Sequence, residues 1–412
     1  MTGAPSDLDR ALETLTQRRA TTLARRRVSL QVVSGKDAGR RFEFDGRARI
    51  GTRRLADLVL ADPRVSGLHC EIFAVDELRL RDLGSKNGTF LGGYRVIEAT
   101  IPGGETIALG DTRIRVVPID ELVDVPLSDA DDFFGLIGQS AAMRALTARI
   151  ERLSAVDSPV LIVGETGSGK ERVAEALHLS GARAAQPLVI VDCGALRGEA
   201  ELDAALARAQ GGTLFLDDVG ELALDLQTRL AAALHGAAPR IIAATGRDLP
   251  LEVQRGRFRE ELYYRVAVVT LTVPPLRERL DDLPFLAVHL LGEMGIDPAS
   301  CLTVEALGAL AQHDWPGNVR ELRNTLERAA ALMEPLTPGG VQPAPPELPP
   351  AAVDLRQPLR TGKQRVIEAF ERAYVSAMLT ETGNNISETA RRAGMDRMSI
   401  HRILQRLGMR GT

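Results

Sequence analysis

Residues Gly164, Glu165, Thr166, Gly167, Ser168, Gly169, Lys170 and Glu171 follow one another in a spacing that can cradle a triphosphate. The glycines let the backbone curl so that successive N–H groups face phosphate oxygens at the start of a helix, and Lys170 brings a positive charge to the outer phosphates. The general motif ends in Ser or Thr, which holds magnesium, and Glu171 stands in that place. Some forty residues on, Asp217 and Asp218 close an apolar run. Carboxylates at such a strand end coordinate magnesium and orient a water, which makes Asp217 the candidate metal ligand. Taken alone, the first pattern is also a glycine-rich turn and the second an acidic strand end. Together they predict binding of a nucleoside triphosphate with Mg2+.

The elements that must hold these groups are legible nearby. Val160-Leu-Ile-Val163 reads as a buried strand before the loop, Arg172 to Leu179 as the helix after it, and Thr213-Leu-Phe-Leu216 as a second strand. From residue 135 to about 334 strands alternate with helices, as in a parallel α/β sheet. A chain of 412 residues with 44% hydrophobic and 26% charged residues calls for more than one core. The net charge of −4 carries no nucleic-acid signal, but residues 389–412 hold six arginines against one aspartate. Cys70, Cys193 and Cys301 are isolated, without metal or disulfide spacing. No apolar run approaches membrane length, so a cytoplasmic protein without a membrane partner is expected.

Residues 1–27 are polar and carry no motif, and are expected to be a short helix or mobile. Over 28–118, short alternating runs (Val28 to Val33, Arg41 to Phe44, Leu78 to Arg81, Thr112 to Val117) separated by Gly, Asp and Asn predict an all-β sandwich. Within it Ile50-Gly51, Asp57-Leu-Val-Leu60, Val65-Ser66, His69 and Asp82-Leu-Gly-Ser-Lys-Asn87-Gly88-Thr89 resemble a forkhead-associated (FHA) domain in order and spacing. That resemblance implies a site for a phosphothreonine-containing protein, with Ser66 and Asn87 as ligands of phosphate and peptide backbone and His69 as a brace. The family's main phosphate-binding Arg follows the glycine directly, where this chain has Thr52, and Arg53 is the candidate replacement. After the loop serine, where the family favours Arg, stands Gly67. The alternative is a sandwich kept for phosphate-independent contacts.

An acidic linker is expected at 119–134. The segment 135–334 resembles the AAA+ domain of bacterial enhancer-binding proteins, the activators of sigma-54 RNA polymerase. Beyond the two nucleotide motifs it shares Leu136-Ile-Gly138-Gln-Ser140, Gly220-Glu221-Leu222, the run from Gly256 to Arg265, Pro275-Leu-Arg-Glu-Arg279 and the run from Trp315 to Leu322. By match Arg259 and Arg265 are fingers that reach the γ-phosphate in a neighbouring subunit, and Arg320 is a sensor in the lid. Fingers of that kind imply a ring, hence a homo-oligomer from dimer to hexamer.

The departures from this family are as telling. Seventeen residues, 194–210, separate Cys193 from Gly211, about half the family's usual span, and the Gly-Ala-Phe-Thr-Gly-Ala string that grips sigma-54 occurs nowhere. A second trim lies between Leu234 and Arg240. Asp218 replaces the family's Glu, and Gly246 replaces its sensor Asn. These changes count against sigma-54 polymerase as a partner and leave ATP turnover open.

After a proline-dense spacer, 335–360, residues 361–412 resemble the Fis-type helix-turn-helix. Val366, Ile367, Phe370, Tyr374, Met378 and Leu379 follow helical spacing suited to dimer packing. The second helix of the motif offers Arg397, Ser399, His401 and Arg402 to a major groove, implying a palindromic DNA operator. The expected fold is therefore multidomain: all-β FHA sandwich, α/β AAA+ phosphate-loop domain with helical lid, all-α helix-turn-helix. The expected function is an ATP-binding, DNA-binding transcription regulator controlled by phosphopeptide recognition. The competing reading is a sigma-54-independent repressor or assembly scaffold.

Overall fold

A computed structural model describes residues 23–74, 77–130, 132–234, 239–332 and, in the tail, 374, 386, 389 and 390. The sandwich is built from β1 (Leu23–Ser34), β2 (Arg41–Gly51), β3 (Leu58–Val59), β4 (Cys70–Ala74), β5 (Leu78–Asp82), β6 (Thr89–Leu91), β7 (Tyr94–Val96), β8 (Glu98–Thr100), β9 (Thr106–Leu109) and β10 (Thr112–Val125). They hydrogen-bond in the order β7-β6-β9-β10-β1-β2-β4-β5-β8, with β3 on β2. Strand β2 belongs to both halves: Arg41–Asp45 pair with β1 and Gly46–Ile50 with β4. The change of partner falls at Gly46, whose φ of +79° suits a residue without Cβ. Alternate residues such as Val28, Leu30, Ile72, Leu80, Ile107 and Ile114 fill the core between the halves.

The sandwich is longer than the sequence suggests. Residues 23–27, expected in the polar N-terminal segment, pair with 119–125, expected in the linker. Antiparallel pairing gives these backbone groups partners whatever their side chains, so composition does not reveal it. The remaining linker is also held: Ser128 N donates to Arg144 O (3.1 Å), and the buried Arg144 guanidinium donates to Ser128 O (2.8 Å).

A hairpin, β11 (Asp132–Phe133) and β12 (Leu136–Ile137), leads to helix α1 (Ala141–Ser154). The α/β domain continues through β13 (Val160–Val163), α2 (Lys170–Leu179), β14 (Leu188–Asp192), α3 (Glu199–Arg208), β15 (Thr213–Asp217), α4 (Leu224–Ala233), β16 (Arg240–Thr245), α5 (Leu249–Gln254), α6 (Glu260–Val266) and β17 (Val269–Thr272). The strands are parallel in the order β14-β15-β16-β13-β17, so the ends of β13, β15 and β16 share one edge of the sheet. The lid comprises α7 (Leu283–Glu293), α8 (Val304–Ala311) and α9 (Asn318–Leu332), packed around the fully buried Trp315. Among the described residues no helix is long and apolar enough to cross a membrane.

Candidate nucleotide and phosphate sites

The phosphate loop sits where β13 hands over to α2. Gly167 and Gly169 adopt φ of +76° and +99°, which a Cβ would strain, and Gly169 caps α2 without a side-chain bond. The loop N–H groups are thereby placed at a helix N-terminus, where an anion is stabilised. Lys170 is buried, its Nζ donating to Gly164 O (3.1 Å) and Glu165 O (3.2 Å). Ser168 Oγ is buried without a hydrogen-bond partner, an orphan a bound ligand would satisfy. Asp217, at the end of β15, has its acidity weakened by burial and then by Asp218, which a cation would relieve. Among the described residues no group of three metal-ligating side chains forms. One carboxylate plus phosphate oxygens and water fits Mg2+, so the residues present suit ATP with magnesium.

Four loop residues are held by the lid and the segment that leads into it. Glu165 accepts from both Arg277 Nη atoms (2.8 and 2.6 Å) and from Asn318 Nδ2 (3.1 Å), and Arg277 holds its carboxyl below the usual range. Asn318 also donates to Thr166 O (3.1 Å) and accepts from Leu276 N (2.8 Å). Gly167 O accepts from Val319 N (3.0 Å) and Arg320 N (3.4 Å), which sets the exposed Arg320 beside the loop. Arg279, buried, donates to Ser168 O (2.7 Å). The roles of Arg277, Arg279 and Asn318 were not read from the sequence, although each lies in a recognised motif. Glu171 is exposed in the first turn of α2.

The remaining nucleotide candidates divide. Asp218 has φ +47° and ψ +51°, a left-handed conformation that short polar Asp tolerates. Arg259 and Arg265 both rest on α4, with Arg259 Nε donating to Leu224 O (3.1 Å) and Arg265 Nη1 to Ala231 O (2.7 Å). The shortened path after β14 contains the single ten-residue α3 before β15. Residues 235–238, where the second trim falls, lie outside the described residues.

At the sandwich rim His69 is fully buried and joins two loops. Ser66 N, an obligate donor, bonds His69 Nδ1 (3.0 Å), so the ring is neutral with its proton on Nε2, which donates to Gly88 O (3.1 Å). Lys86 N donates to Ser66 Oγ (3.0 Å), and Asn87 Nδ2 donates to Arg64 O (2.6 Å). Asp82 anchors the second loop by accepting from Ser85 Oγ and Thr89 Oγ1, both at 2.6 Å. A cleft of about 290 Å³ lined by Arg64, Asn87, Phe90 and Gly110 opens beside Asn87. Across the first loop lies Arg53: a Cβ on Gly67 would sit 2.9 Å from its Cδ and 3.0 Å from its Cγ. Arg53, the candidate replacement for the first departure from the FHA pattern, therefore lies against Gly67, the second.

Burial pushes the His69 pKa below its ordinary 6.5. The neutral ring is favoured on folding, so its contribution to stability is complete above about pH 6.5 and is lost as pH falls through the depressed value. We expect the melting temperature of the chain to fall between pH 7.5 and pH 5.5. His69→Asn, which offers an acceptor and a donor but does not titrate, should flatten that dependence. Parallel curves for the two proteins would contradict the brace.

Residues 136–272 match the sigma-54 interaction domain, 277–344 the AAA+ ATPase lid domain, and 366–407 the bacterial regulatory protein Fis family. Residues 31–120 match the family described as inner membrane component of T3SS, cytoplasmic domain. The chain belongs to the family of sigma-54-dependent transcriptional regulators with a Fis-type helix-turn-helix, and its N-terminal β-sandwich resembles an FHA domain. Among its relatives is the transcriptional regulatory protein ZraR of Klebsiella oxytoca, 38% identical over 340 residues, covering 73% of each chain. The nitrogen assimilation regulatory protein NtrX of Azorhizobium caulinodans is 36% identical, covering 66% of this chain and 69% of that one. NtrX from Brucella abortus, solved in complex with ATP, aligns over 68% of this chain and 71% of that one at 31% identity and TM-score 0.49. The FHA domain of CT664 from Chlamydia trachomatis aligns over 22% of this chain and 96% of that one at 31% identity and TM-score 0.21. The expected DNA contacts Arg397, Ser399, His401 and Arg402 lie outside the described residues.

Proposed function

We propose that this regulator binds ATP with Mg2+ at residues 164–171 and Asp217, binds a palindromic operator through its tail, and is controlled by a phosphothreonine-bearing partner at the sandwich rim. Arg259 and Arg265 would act across a subunit boundary and Arg320 within the lid, so the working form is a ring. In the tail, Arg397 and Arg402 would meet phosphates and base edges, with Ser399 and His401 beside them.

The observation that carries the phosphate reading is the placement of Arg53 over Gly67. A glycine there leaves room for the Arg53 stem, so its exposed guanidinium stands on the loop that also presents Ser66. Guanidinium binds phosphate through paired, charge-assisted hydrogen bonds, which Thr52 cannot supply. We expect Arg53→Ala to weaken a phosphothreonine peptide by roughly 10- to 100-fold, while binding of the unmodified peptide stays unchanged. Thr52→Arg should tighten it. Titration of a phosphothreonine peptide library by fluorescence anisotropy decides, and absence of any binder for either protein would exclude phosphate sensing.

A second reading is favoured by the single helix α3 between β14 and β15. A ring lacking the loop that grips sigma-54 would assemble on DNA with ATP and regulate without remodelling that polymerase. ATP-dependent open complexes at a sigma-54 promoter with purified polymerase would exclude this reading.

A further inference from the structure

We propose that Arg49 couples the sandwich to the nucleotide site by holding the loop after β16, so that a phosphate ligand at the rim and ATP at the phosphate loop alter each other's affinity. Arg49 lies on β2 between Ala48 and Ile50, which enter the sandwich core. Strand alternation would leave Arg49 in water. Instead it is 5% exposed, and Glu71, opposite it on β4, is 3% exposed. Glu71 sits among Arg47, Arg49 and Arg81, and Arg49 is met by the α/β domain. Leu55, Ala56 and Leu68 of the sandwich share one apolar cluster with Leu249, Val253 and Leu262 of α5 and α6. Leu68 N donates to Gln254 Oε1 (2.8 Å). Arg49 itself is divided between the domains: Nε faces Glu71 Oε2 at 3.4 Å, and Nη2 is paired with Asp248. The shared apolar contact holds the two domains together, and the ion pair from Arg49 to the partly exposed Asp248 fixes their register.

Each end of this joint abuts a site. On the α/β side, Asp248 caps α5, its Oδ1 accepting from Leu251 N (3.2 Å), and stands two residues after Gly246. Arg247, between them, donates to Gly220 O (3.3 Å) and pairs with Glu221, just beyond Asp217 and Asp218. On the sandwich side, Leu68 is two residues from Ser66, and β2 runs from Arg49 to its end at Gly51, two residues before Arg53. The segment after Gly51 is tied to the Ser66 loop, with Thr52 N donating to Ser66 O and Arg53 N to Gly67 O, both at 3.1 Å. Where its family has a polar sensor, this chain has Gly246, and the neighbouring loop is gripped from the sandwich instead. A displacement at either site is then transmitted to the other, and the effect on affinity is reciprocal.

The peptide arm of this inference rests on the phosphopeptide reading, and the nucleotide arm does not. The test measures affinity of the full chain for a fluorescent non-hydrolysable ATP analogue, with and without a saturating phosphothreonine peptide chosen from the library. The variants are Arg49→Lys, Gln254→Met and the double variant Arg49→Met/Asp248→Asn. The double change removes both charges together and leaves Glu71 with Arg47 and Arg81 at 3.9 and 3.6 Å. In the wild type the peptide should shift analogue affinity at least about fivefold. The double variant should bind both ligands without the shift, Gln254→Met should reduce it, and Arg49→Lys should keep part of it. An equal shift in the double variant, or no mutual effect in a wild type that binds both, overturns the inference. If no phosphopeptide binds, the rim reading fails by itself. The joint is then judged on nucleotide alone, where the double variant should differ from wild type by about the same fivefold, and equality overturns it.

Discussion

Lys170→Ala is expected to weaken ATP binding by about 100-fold, the loss of charged hydrogen bonds worth about 3 kcal/mol. Lys170 is buried in the loop, and its ammonium donates to the carbonyls of Gly164 and Glu165 at 3.1 and 3.2 Å. Those are neutral acceptors, so the charge is available to phosphate oxygens that enter the loop. A methyl group supplies neither charge nor donor. The rest of the cradle remains, because the left-handed Gly167 and Gly169 and the clamp from Asn318 do not involve the lysine side chain. Equilibrium binding of a labelled nucleotide to both proteins checks this, and equal affinities would remove residues 164–171 as the site.

The second large effect separates chemistry from grip. Wild-type protein should hydrolyse ATP slowly and form no open complex at a sigma-54 promoter with purified polymerase. Asp218→Glu combined with Gly246→Asn should raise hydrolysis by roughly 10- to 100-fold, since a misplacement near 1 Å in a water-positioning group costs about that factor. Space exists for the second change: a Cβ on Gly246 would lie 3.6 Å from Gly164 O and 3.8 Å from Thr166 Oγ1, facing the phosphate loop at ordinary contact distance. The first change carries a conformational cost of about 1 kcal/mol, because position 218 is left-handed and Glu tolerates that less well than Asp. That cost bears on stability rather than on the reaction. Neither change lengthens the path from Cys193 to Gly211, where α3 alone stands, so activation should stay absent in the variant. Phosphate release and promoter opening are measured side by side. ATP-dependent open complexes from the wild-type protein would sink this account.

Much of both sites was legible from residue order alone, for a physical reason. A glycine loop between a strand and a helix, an acid at a strand end, and period-two alternation in short runs are local properties of backbone and neighbouring side chains. They put Lys170 in a glycine loop before a helix, Asp217 at the end of a strand, and Ser66 with Asn87 on sandwich loops; the helix begins at Lys170 itself, two residues before the expected Arg172. The extended ladder at 23–27 and 119–125 escaped because backbone pairing between segments about a hundred residues apart leaves no mark on composition.

What tertiary structure decided is which faces meet. Nothing in the order of residues says that Glu165 turns to Arg277 and Asn318, more than a hundred positions away, or that Arg53 crosses Gly67 in place of an arginine at 52. Arg49 and Glu71 form a cross-strand charged pair that alternation assigns to solvent, yet both are buried, and the guanidinium meets Asp248 at the start of α5. Residue order sets the local geometry of each candidate phosphate loop, because that depends on backbone freedom and residues a few positions apart. The partners of those loops, and the joint between the sandwich and the nucleotide site, depend on long-range packing, where burial reverses what a charged residue's type and spacing would predict.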